Sequence, residues 1–143
     1  MNGENSQVSD SAKDSRVAAI EIAVRRCRHL ARARRYVDEN IASPIKLADV
    51  AHTTAISPSR LSHLFRERTG MSFSEWLASR RIRTAIALME KHDVALPELA
   101  YRSGFGSYRT FERSFKRIQG ITPSRYRRRM RAQMLTKIQQ NLS

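Results

Sequence analysis

The sequence contains a single cysteine, Cys27, so no disulfide can form within the chain. It also has no apolar run of the ~20 residues that a membrane-spanning helix requires, and its polar first residues lack the apolar segment of a signal peptide. These absences exclude a small secreted domain held together by disulfides. We therefore expect a protein that stays in the cytoplasm and has no membrane partner.

Side chains suited to metal binding or covalent catalysis are sparse and scattered. The four histidines, at positions 29, 52, 63 and 92, do not pair at metal-ligand spacing, and one cysteine cannot complete a zinc site. The five glycines do not form a phosphate-binding loop. Because the sequence also shows no activated nucleophile and no catalytic pair of carboxylates, we expect no enzyme activity, no metal and no cofactor.

Acidic residues are also in short supply. Thirteen of them stand against 27 lysines and arginines, which leaves a formal net charge of +14. Such a charge attracts DNA, RNA or anionic membrane surfaces, and the alternative is a solvated surface without a polyanionic partner. Residues 1–15 contribute nothing to the excess, and their polar composition predicts a disordered tail or linker.

Glycine and proline occur only between stretches in which apolar residues recur at intervals of three and four. No segment alternates as a strand does, so the sequence predicts an all-α protein. The predicted helices cover residues 16–40, ended by Pro44, then 46–54, 58–69 and 73–91, a short helix opened by Pro97, one between Ser107 and Gly120, and a last one from Pro123.

Serines at the predicted helix starts support these boundaries. Ser57 precedes Pro58, which suits a first helical position because its missing N–H has no partner there. Ser72 and Glu75 form a capping box, S-x-x-E, before the long helix.

Two segments of the chain repeat each other. The sequence LADVA at residues 47–51 recurs as LPELA at residues 96–100, an offset of 49. Beyond the following turn the offset is 50, and the matched pairs are Ser57 and Ser107, Leu61 and Phe111, Phe65 and Phe115, Gly70 and Gly120, and Trp76 and Tyr126. Each repeat predicts a short helix, a tight turn and a longer helix, which is the helix-turn-helix pattern. An ordinary helical bundle with short connections is the alternative interpretation.

One long predicted helix, residues 73–91, joins the repeats. Its length is about 28 Å at ~1.5 Å per residue, and adjacent major grooves on one face of DNA lie about 34 Å apart. The sequence therefore predicts two helix-turn-helix subdomains whose second helices are held near the spacing of successive grooves. Trp76 and Tyr126, at equivalent places after each repeat, are expected to be core anchors.

The two repeats resemble the DNA-binding domain of the AraC/XylS family of transcription regulators. The resemblance lies in ISPSRLSHLFRERTG at residues 56–70 and GFGSYRTFERSFKRIQGITPSRYR at residues 104–127. The second segment follows the family pattern G-F-x-S-x-x-x-F-x-R-x-F-K-x-x-x-G-x-T-P-x-x-Y-R, and the first is close to the arabinose regulator. The resemblance implies a bilobed, homeodomain-like, all-helical domain whose third and sixth helices read the major groove.

The resemblance also divides the chain. It implies a polar tail and the start of a basic helix at 1–28, an AraC-type DNA-binding domain at 29–130 and a basic and polar tail at 131–143. Within the domain the first helix-turn-helix covers about 46–70, the linker helix 73–91 and the second helix-turn-helix 97–120. Too few residues precede the domain for a sensor domain. Two alternatives stay open: a stand-alone activator, which Met1 favours, or a fragment of a longer regulator.

Motif positions carry the family's DNA-contacting roles onto the two recognition helices. The residues are Ser59, Arg60, Ser62, His63 and Arg66 in the first, and Tyr108, Arg109, Thr110, Glu112, Arg113 and Lys116 in the second. Arginine can bond guanine O6 and N7 together, and glutamate can accept from cytosine N4. For Glu112 a second interpretation is equally open, in which it orients a neighbouring arginine.

Two further basic runs lie outside these helices. Their members are Arg25, Arg26, Arg28, Arg32, Arg34 and Arg35, then Arg125, Arg127, Arg128, Arg129, Arg131 and Lys137. For the second run we expect some phosphate contacts, with a solvated helix as the alternative. For the first run the preferred interpretation is a solvated helix. Contact with DNA or with a neighbouring chain is the alternative.

These observations predict a sequence-specific transcription regulator associated with the nucleoid. We expect it to bind double-stranded promoter or operator DNA as a monomer; a dimer formed through the N-terminal helix or a missing sensor domain is the alternative. The family resemblance alone implies activation and contact with RNA polymerase. Two rival hypotheses remain: a non-specific nucleic-acid or RNA-binding module, and an interaction protein whose functional surface is its N-terminal helix.

Overall fold

The computed structural model describes residues 4–143, with side chains from residue 11 onward. This part of the chain contains eight α-helices and no strand, which confirms the predicted all-α class. The helices are α1 (Glu4–Arg26), α2 (Arg28–Glu39), α3 (Leu47–Thr54), α4 (Pro58–Thr69), α5 (Phe73–Lys91), α6 (Leu96–Arg102), α7 (Tyr108–Gln119) and α8 (Pro123–Asn141).

The chain forms two compact units. The first comprises the chain up to Asn40 together with Ile45–Glu75, and the second comprises Ile41–Pro44 and Trp76–Ser143. Each unit therefore contains one of the two predicted helix-turn-helix repeats.

The N-terminal region differs from the prediction. Residues 4–15 lie in α1 rather than in a disordered tail, and the helix predicted over 16–40 is two helices that meet at Cys27. The backbone of Cys27 is extended (φ −99°, ψ 116°), which interrupts the helical hydrogen bonds. No glycine or proline occurs between residues 4 and 43. A helix anchored by the buried Val24 can therefore propagate towards the N-terminus.

The end of α2 also lies earlier than predicted. The helix ends at Glu39, before Pro44, because Asn40 caps it. The backbone N–H of Asn40 donates to the carbonyls of Tyr36 and Val37, and its side-chain amide donates to Tyr36 O at 2.8 Å. These bonds satisfy the final carbonyl groups locally, so the proline is not needed to stop the helix.

The core of the first unit is built by α1 to α4 and by the start of α5. The buried side chains of α2, Leu30, Ala33 and Val37, recur at intervals of three and four, which places them on one face. His29 Nδ1 lies 3.1 Å from Thr54 O and links α2 to α3. The other buried apolar residues of this unit are Val24, Val50, Ala51, Leu61, Leu64, Phe65 and Phe73.

An aromatic chain runs through the core of the second unit. The ring of Phe111 lies 5.3 Å from that of Phe105 and 5.7 Å from that of Phe115, both edge-on. Phe115 in turn meets Tyr126 at 5.3 Å, and edge-to-face contacts of this kind are favourable beyond the area they bury. Tyr126 is thus a core anchor as predicted, and so is Trp76, which is 1% exposed.

Helix α5 has the predicted bounds. The predicted capping box starts it: Glu75 N–H donates to Ser72 Oγ at 3.1 Å, and Ser72 N–H donates to a Glu75 carboxylate oxygen at 3.4 Å. The buried Ile82, Ala85 and Met89 of α5 lie in the core of the second unit.

The segment 41–44 is fixed to the second unit by Arg81. The Arg81 guanidinium donates to Ile41 O at 3.3 Å and to Ser43 O at 2.9 Å, and burial lowers its pKa. Gly104 lies against the same segment with φ +95°; a Cβ there would stand 2.0 Å from Ile41 O. Only glycine fits this turn without displacing the backbone.

Helix α8 continues to Asn141, so most of the segment 131–143, predicted as a tail, is helical. Two of its arginines hold the connection between α5 and α6: Arg127 donates to Val94 O, and Arg131 pairs with Asp93. Within residues 4–143 no helix combines the length and the apolar character needed to span a membrane.

Candidate nucleic-acid interface

The first helix-turn-helix consists of α3, a three-residue turn and α4. Ala55 adopts a left-handed conformation (φ 60°) that reverses the chain after α3. Ser57 then caps α4, because its hydroxyl accepts from Arg60 N–H at 3.1 Å. Pro58 occupies the first turn, and Gly70 ends the helix in the left-handed region (φ 72°). The capping predicted from the sequence is thus confirmed.

Helix α4 separates its apolar face from its polar face. Leu61, Leu64 and Phe65 are buried in the first unit. The residues predicted to contact DNA lie at the surface: Ser59, Arg60, His63 and Arg66 are exposed, and Ser62 is half-buried. His63 Nε2 lies 4.0 Å from Glu67, and both side chains are largely exposed.

The second helix-turn-helix repeats this local structure. Ser107 caps α7 by accepting from Thr110 N–H at 3.2 Å, and its hydroxyl also contacts Thr110 Oγ1 at 2.9 Å. Gly120 ends the helix with φ 82°. Because each longer helix has a serine N-cap and a glycine end at matched places, the repeat seen in the sequence is a repeat of structure.

Helix α7 also presents the predicted residues to solvent. Phe111 and Phe115 are buried. The exposed residues of the predicted site are Arg109, Thr110, Glu112, Arg113 and Lys116.

Tyr108 is the exception among the predicted site residues of α7, because it is half-buried. Its ring tilts against Phe111 at a centroid distance of 5.9 Å. Burial raises the pKa of Tyr108, the carboxylate of Glu112 raises it further, and the charge of Arg127 opposes both. The sequence did not indicate this effect of Glu112, although the i, i+4 spacing of the two residues is the available signal.

Both recognition helices are electropositive at their exposed surfaces. Neither has an acid in its first turn, where the helix dipole is positive. Among the residues that the structure describes, Arg60 and Arg66 of α4 have no ion-pair partner. The same is true of Arg109, Arg113 and Lys116 of α7. Cations left without internal acids are available to phosphates and to the acceptor edges of bases.

Some arginines of the two basic runs outside the recognition helices bind groups of the protein itself. Arg34 lies 3.6 Å from Glu21 and 3.7 Å from Asp38, which ties α1 to α2. Arg127 and Arg131 are engaged by the α5–α6 connection. The members that remain exposed are Arg25, Arg26, Arg28, Arg32 and Arg35 in the first run, and Arg125, Arg128, Arg129 and Lys137 in the second.

Comparison with known proteins places this geometry in a family. A family model described as a helix-turn-helix domain matches residues 50–129. The chain is 36% identical over 104 residues to YijO, an HTH-type transcriptional regulator of Escherichia coli strain K12, and the match covers 73% of this chain and 37% of YijO. It is also 36% identical over 93 residues to the arabinose operon regulatory protein of the same organism, covering 64% of this chain and 32% of that protein. The chain thus spans about a third of the length of each of these curated relatives.

Solved structures agree with the sequence matches. The DNA-binding domain of the global transcriptional factor AdpA, crystallised with a target DNA, has a TM-score of 0.67 at 28% identity, covering 72% of this chain and 93% of that domain. An AraC-type transcriptional regulator from Chromobacterium violaceum has a TM-score of 0.68 at 27% identity, covering 73% of this chain and 93% of that one. The chain therefore belongs to the AraC/XylS family of transcription regulators and carries the helix-turn-helix DNA-binding domain of that family.

Proposed function

We propose that the chain regulates transcription by inserting α4 and α7 into successive major grooves of a specific promoter or operator sequence. The observation that carries the proposal is the pair of matched recognition helices. Each has a buried apolar face, a serine cap and an exposed face with unpaired cations. A major groove about 12 Å wide admits one α-helix, so two such helices suit two grooves.

The contact residues proposed for this role are those carried over from the family motif. Ser59, Arg60, Ser62, His63 and Arg66 would serve in α4, and Tyr108, Arg109, Thr110, Glu112, Arg113 and Lys116 in α7. The arginines are suited to guanine, because a guanidinium donates to O6 and N7 together. The exposed arginines of α8 would add phosphate contacts, which raise affinity for every sequence alike.

The finer parts of the function rest on less, and activation and contact with RNA polymerase rest on the family alone. The proposal includes activation through contact with RNA polymerase, binding as a monomer, and a cytoplasmic location at the nucleoid. In the AraC/XylS family a DNA-binding domain of this kind accompanies activators, and two recognition helices in one chain let a single molecule read an asymmetric site.

The experiment is selection of bound duplexes from a random pool, followed by titration of the winner and of random duplex at physiological salt. A specific regulator is expected to bind the winner about 10³-fold more tightly or better. Both affinities should fall as salt rises, because phosphate contacts release counterions. Equal affinity for selected and random duplexes would leave only a non-specific nucleic-acid binder.

A further inference from the structure

The last turns of α8 carry an exposed apolar face. Beyond Met130, which packs against the core of the second unit, every residue from 131 to 143 is exposed. Met134, Leu135, Ile138 and Leu142 are 48%, 63%, 54% and 83% exposed. Because a helix turns by about 100° per residue, these four side chains lie within about 100° of one another around α8. They form one continuous surface, called here the α8 stripe.

The other large apolar residues that the structure shows as exposed do not form a comparable surface. Val17 and Ile22 of α1 are 41% and 50% exposed, but at five residues' separation they lie about 140° apart around the helix. Tyr101 of α6 is a single exposed ring. Scattered apolar residues are normal on a protein surface, whereas a continuous apolar patch marks an interaction site. The α8 stripe is therefore the better candidate for a contact with another protein.

Charge favours a second copy of the chain as the partner of the α8 stripe. Residues 132–143 contain a single charged side chain, Lys137, which lies about 100° from Ile138 around the helix. The arginines of α8 all precede the stripe, and α8 has no acid. Two copies with a net charge of +14 each repel one another over most of their surfaces, so an almost uncharged apolar segment is where they can meet. A partner attracted through its negative charge would bind beside the arginines instead.

We propose that the α8 stripe packs against the same stripe of a second copy of this chain, with the two helices antiparallel. When Ile138 faces Ile138 of the second copy, Met134 and Leu135 meet Leu142 of the second copy. The Arg131 residues of the two copies then lie about 21 Å apart along the helix axis at ~1.5 Å per residue. This separation exceeds the ~8 Å over which charges interact strongly at physiological salt. A parallel pair would place the arginines side by side, so charge favours the antiparallel orientation.

The end of α8 supplies complementary charge to such a pair. Its last turn has no basic residue, so the partial negative charge of the final carbonyl groups is not offset within the helix. In the antiparallel pair this end lies about one turn from Arg131 of the second copy. The Arg131 side chain is 54% exposed although it pairs with Asp93, so it remains accessible to the facing helix end.

The pair is expected to be weak. Four apolar side chains per copy are few beside the ~20–30 residues that each partner contributes to a standard interface, so we expect a Kd on the order of 10 µM. Two copies on neighbouring DNA sites are held at a high effective concentration, so even a weak contact would make their binding cooperative. That consequence rests on the proposed function, with each copy still reading its own site. The pair itself does not rest on it, because the free chain forms it.

Sedimentation velocity of the full chain without DNA, from about 1 to about 200 µM, tests the pair across the expected Kd. The mean mass should rise from that of one chain towards that of two. Ile138→Lys places like charges face to face and should weaken the association about tenfold or more. Gln140→Lys is the matched control, because it adds the same charge to an exposed position on the opposite side of α8 and should leave the association unchanged. Equal melting temperatures of the two variants at the lowest concentration would show that both are folded.

Mixtures of variants test the register and the orientation. Ile138→Glu alone should stay a single chain, and mixing it with Ile138→Lys should restore the pair, because opposite charges then face each other. Leu135→Glu mixed with Leu142→Lys should also associate, since an antiparallel pair brings these positions together. Leu135→Glu mixed with Leu135→Lys should not, because those positions meet only in a parallel pair.

The results separate this inference from the proposed function. A wild-type chain that stays single up to the highest concentration overturns the pair and leaves the α8 stripe to a different protein. An association that survives Ile138→Lys places the contact elsewhere and also overturns it. If Leu135→Lys rescues Leu135→Glu and Leu142→Lys does not, the antiparallel orientation is wrong. None of these results concerns the proposed function, which fails only if selected duplexes bind no more tightly than random duplex.

Discussion

At the scale of single residues, a cation's role depends on the partners that the fold supplies. Arg113 is exposed on α7 and has no ion-pair partner in the described part of the chain, whereas Arg131, in another basic run, is paired with Asp93. Local sequence favours exposure for both, but the acid that engages Arg131 is far along the chain. Exposure could therefore be predicted from helical spacing, and the pairing could not.

Arg113 and Arg128 should differ in how they affect DNA binding. Arg113→Ala should cost about 1–3 kcal/mol on the selected duplex and relax the preference at one base pair. Arg128→Ala, in the exposed part of α8, should weaken all sequences alike and reduce the salt slope by about 1. Titrations at several salt concentrations on matched and mismatched duplexes measure both effects. Equal, base-independent losses from the two variants would contradict the assignment of Arg113.

The ionisation of Tyr108 tests the effect of the Glu112 carboxylate on it in the absence of DNA. Burial and the carboxylate raise its pKa above the usual 10.0. Glu112→Gln should therefore lower the pKa, while the value stays raised because burial remains. Since the neutral phenol is favoured in the fold, its stabilising contribution is complete below the unfolded pKa and is lost as pH rises through the folded one. An NMR titration of Tyr108 that is identical in both proteins would count against an effect of the Glu112 carboxylate on its pKa.

At the scale of elements, the parts with local signals were predictable. The start of α4 at Pro58 and the bounds of α5 follow from caps and punctuation residues, and the structure confirms them. The break at Cys27 has no such signal, because neither glycine nor proline marks it. Val24 and Leu30, on either side of the break, are buried by tertiary packing. Sequence periodicity does not show this packing, so it predicted one helix where the structure has α1 and α2.

The three glycines of the turns provide a graded test of this local structure. Gly104→Ala should destabilise the protein by about 3 kcal/mol, because a Cβ meets Ile41 O and the backbone has positive φ. Gly70→Ala has positive φ but open space and should cost about 1 kcal/mol. Gly106→Ala is the matched control and should stay within about 0.5 kcal/mol. Denaturant unfolding measures the series, and a Gly104 variant as stable as the Gly106 variant would contradict the packing of segment 41–44.

At the scale of the whole molecule, the internal repeat was more informative about the architecture than any single motif. The offsets of 49 and 50, together with the short helix, turn and longer helix in each repeat, predict two helix-turn-helix units in one chain, and the structure places one in each compact unit. The net charge of +14 explains attraction to DNA but carries no sequence information. Which bases are read depends on individual side chains that reach the base edges, and composition does not show these.

The most direct measurement is a footprint of the full chain on its selected duplex, repeated after insertion of a half-turn of about five base pairs between the protected regions. Two protected major-groove segments, about 10–10.5 base pairs apart on one face, are expected on the original duplex. The insertion should reduce affinity to that of a single recognition helix. Protection of one groove only, or unchanged affinity after the insertion, would contradict reading by two helices of one chain.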